Sequence, residues 1–323
     1  MQDRLLKRQL IEQGQLAAWT RHGRPSLLEK NFSLLRTVLA CGLRLLGLYA
    51  RGVGNALSPE LKYLRLAFDT LPEAFHGFRI LHLSDLHADG LPSMAESLAP
   101  RLQNLAVDLC VLTGDYRYRM TGSCRHVYPP MARLLGSINA RHGVVGILGN
   151  HDAAEMVPAF ERLGVRMLVN ASLCLQQDTQ QIWLIGLDDP HYYGCDDLPG
   201  AVRDVPESGF KILLVHTPEM LEEAAQSGIH LYLCGHTHGG QICLPVIGPL
   251  ITHANCPRAY VRGAWQYKQV TGYTSPGVGC SGVPVRFRCP PELVLLELCR
   301  TSLLEPAAIG QDAVRHAILA KNV

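Results

Sequence analysis

Five short stretches, most of them directly behind an apolar run, are rich in side chains that offer oxygen or imidazole nitrogen to a metal ion. Asp85 and His87 lie two apart behind the run Ile80-Leu81-His82-Leu83-Ser84. Asp115 follows Gly114, and Asn150 follows Gly149 and opens Asn150-His151-Asp152. His216 closes another apolar run, and His236 and His238 belong to Gly235-His236-Thr237-His238. Carboxylates, an amide oxygen and neutral imidazoles suit borderline to hard divalent ions such as Mn²⁺, Zn²⁺ and Fe²⁺. The donors are too many for one ion and enough for two, provided one carboxylate is shared. Two adjacent cations can hold both the attacking and the leaving oxygen of an in-line displacement at phosphorus. Taken singly, each residue has a plainer reading, since Gly-Asp and Gly-Asn are common turn pairs. It is the ordered set that points to chemistry.

The elements that must carry these residues are legible from periodicity. Residues 61–68 alternate as a strand would. The runs Phe78–Ser84, Leu109–Thr113, Val144–Leu148, Ile182–Leu187, Ile212–Val215 and Ile229–Cys234 read as buried strands. Helical stretches are expected near 93–105, 129–139, 153–163 and 217–227, the last capped by Thr217-Pro218. After Gly235 the chain is rich in Gly and Pro, with short strands ending at Leu293–Leu298. This alternation implies an α/β layered domain over about 61–300, preceded by an arm (1–60) and followed by a helix or tail (301–323).

With 323 residues, 47% of them hydrophobic, the chain can bury a full-sized core. Its net charge of +2 conceals an asymmetry. Residues 1–65 hold 11 Lys/Arg against 4 Asp/Glu, a balance of +7, which leaves −5 for the rest. Such an arm suggests an anionic surface. Leu, Val and Tyr interleaved with the basic residues favour a membrane over nucleic acid, which is not an expected partner. Within 31–57 the apolar positions cover much of one helix, with Arg36, Arg44 and Arg51 on one side. An amphipathic helix in the membrane interface, its arginines toward headgroups, is the leading reading. A helix packed on its own catalytic domain, or on a second copy in a homodimer, is the other. No uncharged stretch there approaches the ~20 residues of a spanning helix. The opening residues lack the apolar core of a secretory signal. Eleven scattered cysteines without a Cys-x-x-Cys pair imply free thiols in a reducing compartment. The expected location is therefore cytoplasmic, peripheral on the inner face of the cell membrane.

The series Asp-x-His, Gly-Asp, Gly-Asn-His-Asp, His and Gly-His-x-His resembles the pattern of the calcineurin-like metallophosphoesterase family. That resemblance implies a four-layer α/β sandwich, two packed mixed β-sheets flanked by helices, here with a helical amino-terminal extension. It implies that Asp85, His87 and His238 bind a first metal, that Asn150, His216 and His236 bind a second, and that Asp115 bridges them. Mn²⁺ is the expected ion, with Zn²⁺, Fe²⁺ or Mg²⁺ as alternatives. It further implies hydrolysis by hydroxide drawn from metal-activated water, with His151 as proton donor to the leaving group and Asp152 orienting His151.

The motif fixes a reaction class more than a substrate. Arg117 and Arg119, after Asp115, could grip a second phosphate, or could neutralise carboxylates on the rim. Arg286, in the glycine-bearing stretch Ser281–Arg288, offers another cation. The runs Gly-His-Thr-His-Gly-Gly-Gln and Gly-Val-Pro-Val-Arg-Phe resemble a membrane-associated bacterial branch of the family, some of whose members cleave the pyrophosphate of UDP-2,3-diacylglucosamine in lipid A synthesis. The expected substrate is a lipid-linked phosphoester or pyrophosphate. A soluble phosphodiesterase acting on cyclic nucleotides or other small phosphodiesters, and an inactive scaffold of the same fold, are the alternatives.

Overall fold

The computed structural model describes residues 2–22, 27–249 and 252–304, with side chains from Asp3 to Gly14 and from Leu34 onward within those spans. Three helices form the arm: α1 (Gln2–His22), α2 (Leu27–Leu45) and α3 (Tyr49–Ala56). The strands that follow are β1 (Glu60–Phe68), β2 (Phe78–Leu83), β3 (Ala106–Val107), β4 (Leu109–Leu112), β5 (Asn139–Ala140), β6 (Val144–Gly146), β7 (Val165–Met167) and β8 (Ala171–Gln177). They continue as β9 (Gln180–Gly186), β10 (Phe210–Leu214), β11 (Leu231–Cys234), β12 (Cys243–Leu244), β13 (Gly248–Pro249), β14 (Gly263–Tyr267), β15 (Val270–Thr274) and β16 (Glu292–Arg300). Interleaved are helices α4 (Met94–Gln103), α5 (Tyr128–Leu135), α6 (Met156–Arg162), α7 (Leu198–Val202) and α8 (Leu221–Gln226).

Two six-stranded mixed sheets result, in the orders β1-β16-β2-β4-β6-β7 and β14-β15-β11-β10-β9-β8. Within them β2, β4, β6 and β7 run parallel, as do β9, β10, β11 and β15. Alternation within each strand builds the layers. Ile80, Leu109, Val111 and Val145 point inward to meet Ile182, Leu184, Ile212, Leu214 and Leu233 of the second sheet. Their neighbours Leu81, Leu83, Cys110 and Leu112 point outward, onto Met94 and Leu98 of α4, Met131 of α5 and Phe160 of α6. On the far side Ile185, Leu213, Val215 and Tyr232 meet Leu198 of α7 and Leu221 and Ala224 of α8. The order is helix, sheet, sheet, helix, and every expected strand lies within it.

Differences from the sequence reading have local causes. Helix α8 begins at Leu221 rather than at Thr217, because the Tyr232 hydroxyl donates to the Thr217 carbonyl at 2.6 Å and accepts from Met220 N–H, which fixes 217–220 as a turn. The helix expected over 31–57 is broken. Gly47 takes φ +69°, Leu48 N–H donates to Leu43 O and Gly47 N–H to Arg44 O, which is a Schellman C-cap. The tail expected over 301–323 lies outside the described residues beyond Leu304.

The arm packs on the domain. Leu5 is buried in the same cluster as α4–α6. Gly52 of α3 lies so close to Val285 and Phe287 that a Cβ would meet them at 2.7 and 2.9 Å. Arg36 of α2 donates to Tyr118 Oη and, at 2.8 Å, to the Gly282 carbonyl. That arginine faces protein, where a headgroup-facing position was expected.

Phe210 joins the sheets by an edge-to-face contact with Phe68 at 5.1 Å. Its replacement by alanine is expected to cost about 3–5 kcal/mol of unfolding free energy, read by urea denaturation. A loss below about 1 kcal/mol would contradict the inter-sheet packing.

Candidate metal centre

Every expected ligand sits where a strand ends. β2 delivers Asp85 and His87, β4 delivers Asp115, and β6 delivers Asn150 and His151. β10 delivers His216, and β11 delivers His236 and His238. The centre therefore lies at the carboxyl ends of adjacent parallel strands in both sheets, where an open α/β sheet gathers its ligands.

Turning the chain back within one or two residues requires unusual backbone. Asp85, His87, Asp115, His236 and His238 all have φ between 40° and 70°. Non-glycine residues rarely occupy this region, and such conformations cluster at functional sites. Gly235 lets two of these loops meet, since a Cβ there would lie 1.9 Å from Ser84 Oγ and 2.2 Å from Asp85 Oδ2. A Cβ on Gly149 would fall 2.3 Å from Asp115 Oδ1.

Donor atoms gather in two principal groups. Asp85, His87 and His238 lie within 4.8 Å of one another, as do Asp115, His216 and His236. His87 Nε2 is 3.1 Å from His238 Nε2, and Asp85 Oδ1 is 3.4 Å from that same nitrogen. Asp115 Oδ2 stands between the groups, 3.7 Å from His87 Nε2 and 3.3 Å from His216 Nε2. His236 Nδ1 faces Asn150 Oδ1 at 2.9 Å.

Hydrogen bonds on the far side of the rings decide which nitrogens are bare. His87 Nδ1–H donates to the Arg117 carbonyl and His216 Nδ1–H to the Thr113 carbonyl, both at 2.7 Å. His236 Nε2–H donates to the His253 carbonyl at 3.0 Å. In a neutral ring each bond leaves the other nitrogen bare and aimed inward, as is typical of metal-ligating histidine, and at His216 a cation must first displace a proton from that nitrogen. The fully buried His216 Nε2 forms no hydrogen bond. The donor set therefore fits divalent cations.

Burial holds His87 and His236 near 3, so both are neutral as ligands must be. It lifts Asp85 to about 6, with the Asp115 charge adding to the effect. Asp115 is also buried, yet the imidazoles of His216 and His151 outweigh that and hold it well below the carboxylate range. His216 is the reverse: burial opposes its charge, but Asp115 prevails and its pKa is pushed up to about 10.

The remaining expected residues are placed differently. His151 Nε2 lies 3.9 Å from Asp115 Oδ2, and the ring keeps partial access to solvent. Its Nδ1–H donates to the Tyr118 carbonyl at 2.7 Å, so Tyr118 backbone orients it, not Asp152. Asp152 instead accepts from the N–H groups of Asp115, Tyr116 and Gly149, each at 2.8 Å, and so binds two ligand loops together. Arg117 is buried, with its guanidinium donating to the carbonyls of His151, Met120 and Gly122. Arg286 is wholly buried, donating to the carbonyls of Pro276, Gly277, Gly279 and Cys289. Both arginines brace loops and have no face for a substrate phosphate, contrary to expectation. Arg119 is exposed. Sequence reasoning passed over Asp188-Asp189, which ends β9 as Asp115 ends β4; the shared pattern of an apolar run closed by an acid was the available signal.

The calcineurin-like phosphoesterase family profile matches residues 78–240. The chain is 30% identical over 240 residues to an uncharacterized metallophosphoesterase of Bacillus subtilis, YkuE, covering 72% of this chain and 82% of that one. It is 29% identical over 249 residues to the phosphodiesterase YaeI of Escherichia coli, covering 74% and 88% respectively. A transmembrane protein with a metallophosphoesterase domain from Danio rerio is 28% identical over 308 residues, 88% of this chain and 67% of that one. This chain belongs to the calcineurin-like phosphoesterase family, and it is a metal-dependent phosphoester hydrolase.

At neutral pH His216 carries a proton that an incoming cation must displace. Affinity at the Asp115–His216–His236 group should therefore rise with pH, by about tenfold per unit below the His216 pKa. Calorimetric titration with Mn²⁺ in buffers of different ionisation enthalpy is expected to show proton release at pH 7. Uptake without release would contradict the electrostatics.

Proposed function

We propose that the enzyme hydrolyses a lipid-linked phosphoester or pyrophosphate, such as UDP-2,3-diacylglucosamine, at an anionic membrane surface. The observation that carries this reading is the outward face of α2. Leu34, Leu35, Val38, Leu39 and Leu45 are all exposed, within an arc of about 140° at 100° per residue. A helix folded onto a soluble domain ordinarily hides that stripe. Here the polar side, through Arg36, faces the domain, and the apolar side faces away. Such a helix can lie between a lipid surface and the enzyme. The β12–β13 hairpin adds exposed Leu244, Val246 and Ile247 directly after the last ligand loop. Both this hairpin and α3 are bonded to the 285–287 segment, through Cys243 N–H to Phe287 O and Arg286 N–H to Gly52 O. Among the described residues no helix is long and apolar enough to cross a membrane. The name of the Danio rerio relative is in keeping with a membrane setting.

In the chemistry proposed here, Asp85, His87 and His238 would hold one cation, Asn150, His216 and His236 the other, and Asp115 both. Bound divalent ions would supply Lewis-acid stabilisation of the phosphoryl oxygens and lower the pKa of water. Mn²⁺ is the ion to load first. His151, fixed through Nδ1–H to Tyr118, presents Nε2 toward the centre and, as the imidazolium, would give the Nε2 proton to the leaving oxygen and be left neutral with Nδ1–H in place. Arg119 is the one expected phosphate-gripping arginine that the structure leaves exposed.

The soluble phosphodiesterase reading draws support from the name of the Escherichia coli relative. The two readings separate on α2. Replacing Leu34, Leu35, Val38 and Leu39 together by glutamine should abolish cosedimentation with anionic vesicles. Turnover of a lipid-linked pyrophosphate should fall at least about tenfold while a soluble aryl phosphodiester is cleaved as before. Equal effects on both substrates would favour the soluble reading. Truncating the arm is a poorer test, because α1 and α3 contact the domain. Separately, His151→Ala is expected to bind both ions and lose about 10²–10⁴-fold in kcat. Unchanged turnover would remove the proton-donor role.

A further inference from the structure

Helix α1 places a cation beneath one ligand loop. Leu5, Arg8 and Glu12 share a face by their spacing of three and four residues, and Arg8 is completely buried. Its Nη2 donates to the carbonyls of Gly149 and Asp152, each at 2.6 Å. Those two carbonyls bracket Asn150 and His151. Nη1 donates to the Asp188 carboxylate at the end of β9, and Nε to Glu12 Oε1 at 3.2 Å. The guanidinium also lies over the Tyr193 ring, 4.0 Å from its centroid. Glu12 Oε1 in turn accepts from Ala154 N–H at 3.0 Å. A single side chain from outside the sandwich thus ties the exit of β6 in one sheet to the exit of β9 in the other.

Burying a guanidinium is costly unless most of its donors are matched. Here two carboxylates offset the charge, and the other two matching groups are backbone carbonyls, whose positions set the path of the loop. From this we propose that Arg8 is a positioning residue for the metal centre: by holding the Gly149 and Asp152 carbonyls it fixes Asn150 and His151 in the geometry the second cation requires. The docked α1 helix is on this account a working part of the active site, and the second cation binds weakly when Arg8 is lost. The inference rests on the assignment of Asn150 to that cation.

The test uses full-length protein. Arg8→Gln removes the charge and most donors; Arg8→Lys keeps a buried charge but offers a point donor where a fork is needed, and is the variant to use if the first fails to fold. Lys7→Gln is the control, because Lys7 lies on the same helix and donates to the Gly194 carbonyl, outside the ligand loops. Mn²⁺ titration of each protein gives stoichiometry and affinity, thermal melting gives stability, and an aryl phosphodiester gives kcat and KM. For Arg8→Gln and Arg8→Lys the first Mn²⁺ should bind as in wild type and the second about 10–100-fold more weakly. Turnover should be recovered by raising Mn²⁺, with KM little changed. Lys7→Gln should bind both ions normally. Wild-type affinity for the second ion in either Arg8 variant, even with a lower melting temperature, would reduce Arg8 to a tether and overturn the proposal. Failure of the wild-type protein to bind a second Mn²⁺ would instead overturn the two-cation assignment on which it rests.

Discussion

Lone pairs that converge in a space closed to water repel one another unless a positive charge lies between them. In this protein the crowding is tightest at two places: the bare His87 Nε2 lies 3.1 Å from His238 Nε2, and the bare His236 Nδ1 lies 2.9 Å from Asn150 Oδ1. The backbone carbonyls of Arg117, Thr113 and His253 hold the ring protons on the opposite side. The sandwich, the left-handed ligand residues and the close glycines can all be understood as the scaffold needed to bring those lone pairs together. Divalent cations resolve the repulsion, and their Lewis acidity is what hydrolysis at phosphorus needs.

The scaffold around the ligands is made from cations and carbonyls as much as from apolar packing. Arg117 and Arg286 each gather several backbone carbonyls, Asp152 gathers three N–H groups, and Arg8 joins loops from the two sheets. Charged hydrogen bonds of this kind are stronger than neutral ones and constrain loops that no sheet ladder can reach. Two arginines of the arm reach the supports of His151: Arg8 its own loop, and Arg36 the Tyr118 residue whose carbonyl orients the ring. The arm is therefore an element with two faces, one turned to the catalytic loops and one, on α2, left apolar and exposed.

Much of this was legible in the sequence because the strands that matter are fully buried. Runs such as Leu109–Leu112 and Ile212–Val215 are continuous in apolar residues and lead within three residues to a ligand, so strand and site are read together. The edge strands were harder. β8 contains Gln176 and Gln177, and β14 and β15 carry Gln266 and Gly272 within a hairpin turned at Lys268, where φ is +50°. The paired glutamines and the mid-strand glycine interrupt the alternation that marks a half-buried strand. The roles of Arg117, Arg286 and Asp152 were misread because they depend on where carbonyls and N–H groups of distant loops come to rest. Arg8 and Asp188 are 180 positions apart, beyond any local pattern. The break after α2 did leave a sign, Gly47 just past the last leucines, where a C-cap glycine is common.

The most direct measurement is anomalous diffraction from crystals of the full-length protein soaked in Mn²⁺. Two peaks about 3.5–4 Å apart, one on each side of the Asp115 carboxylate, are the expected result. A single peak, or ions bound away from Asp115, would contradict the shared-carboxylate centre.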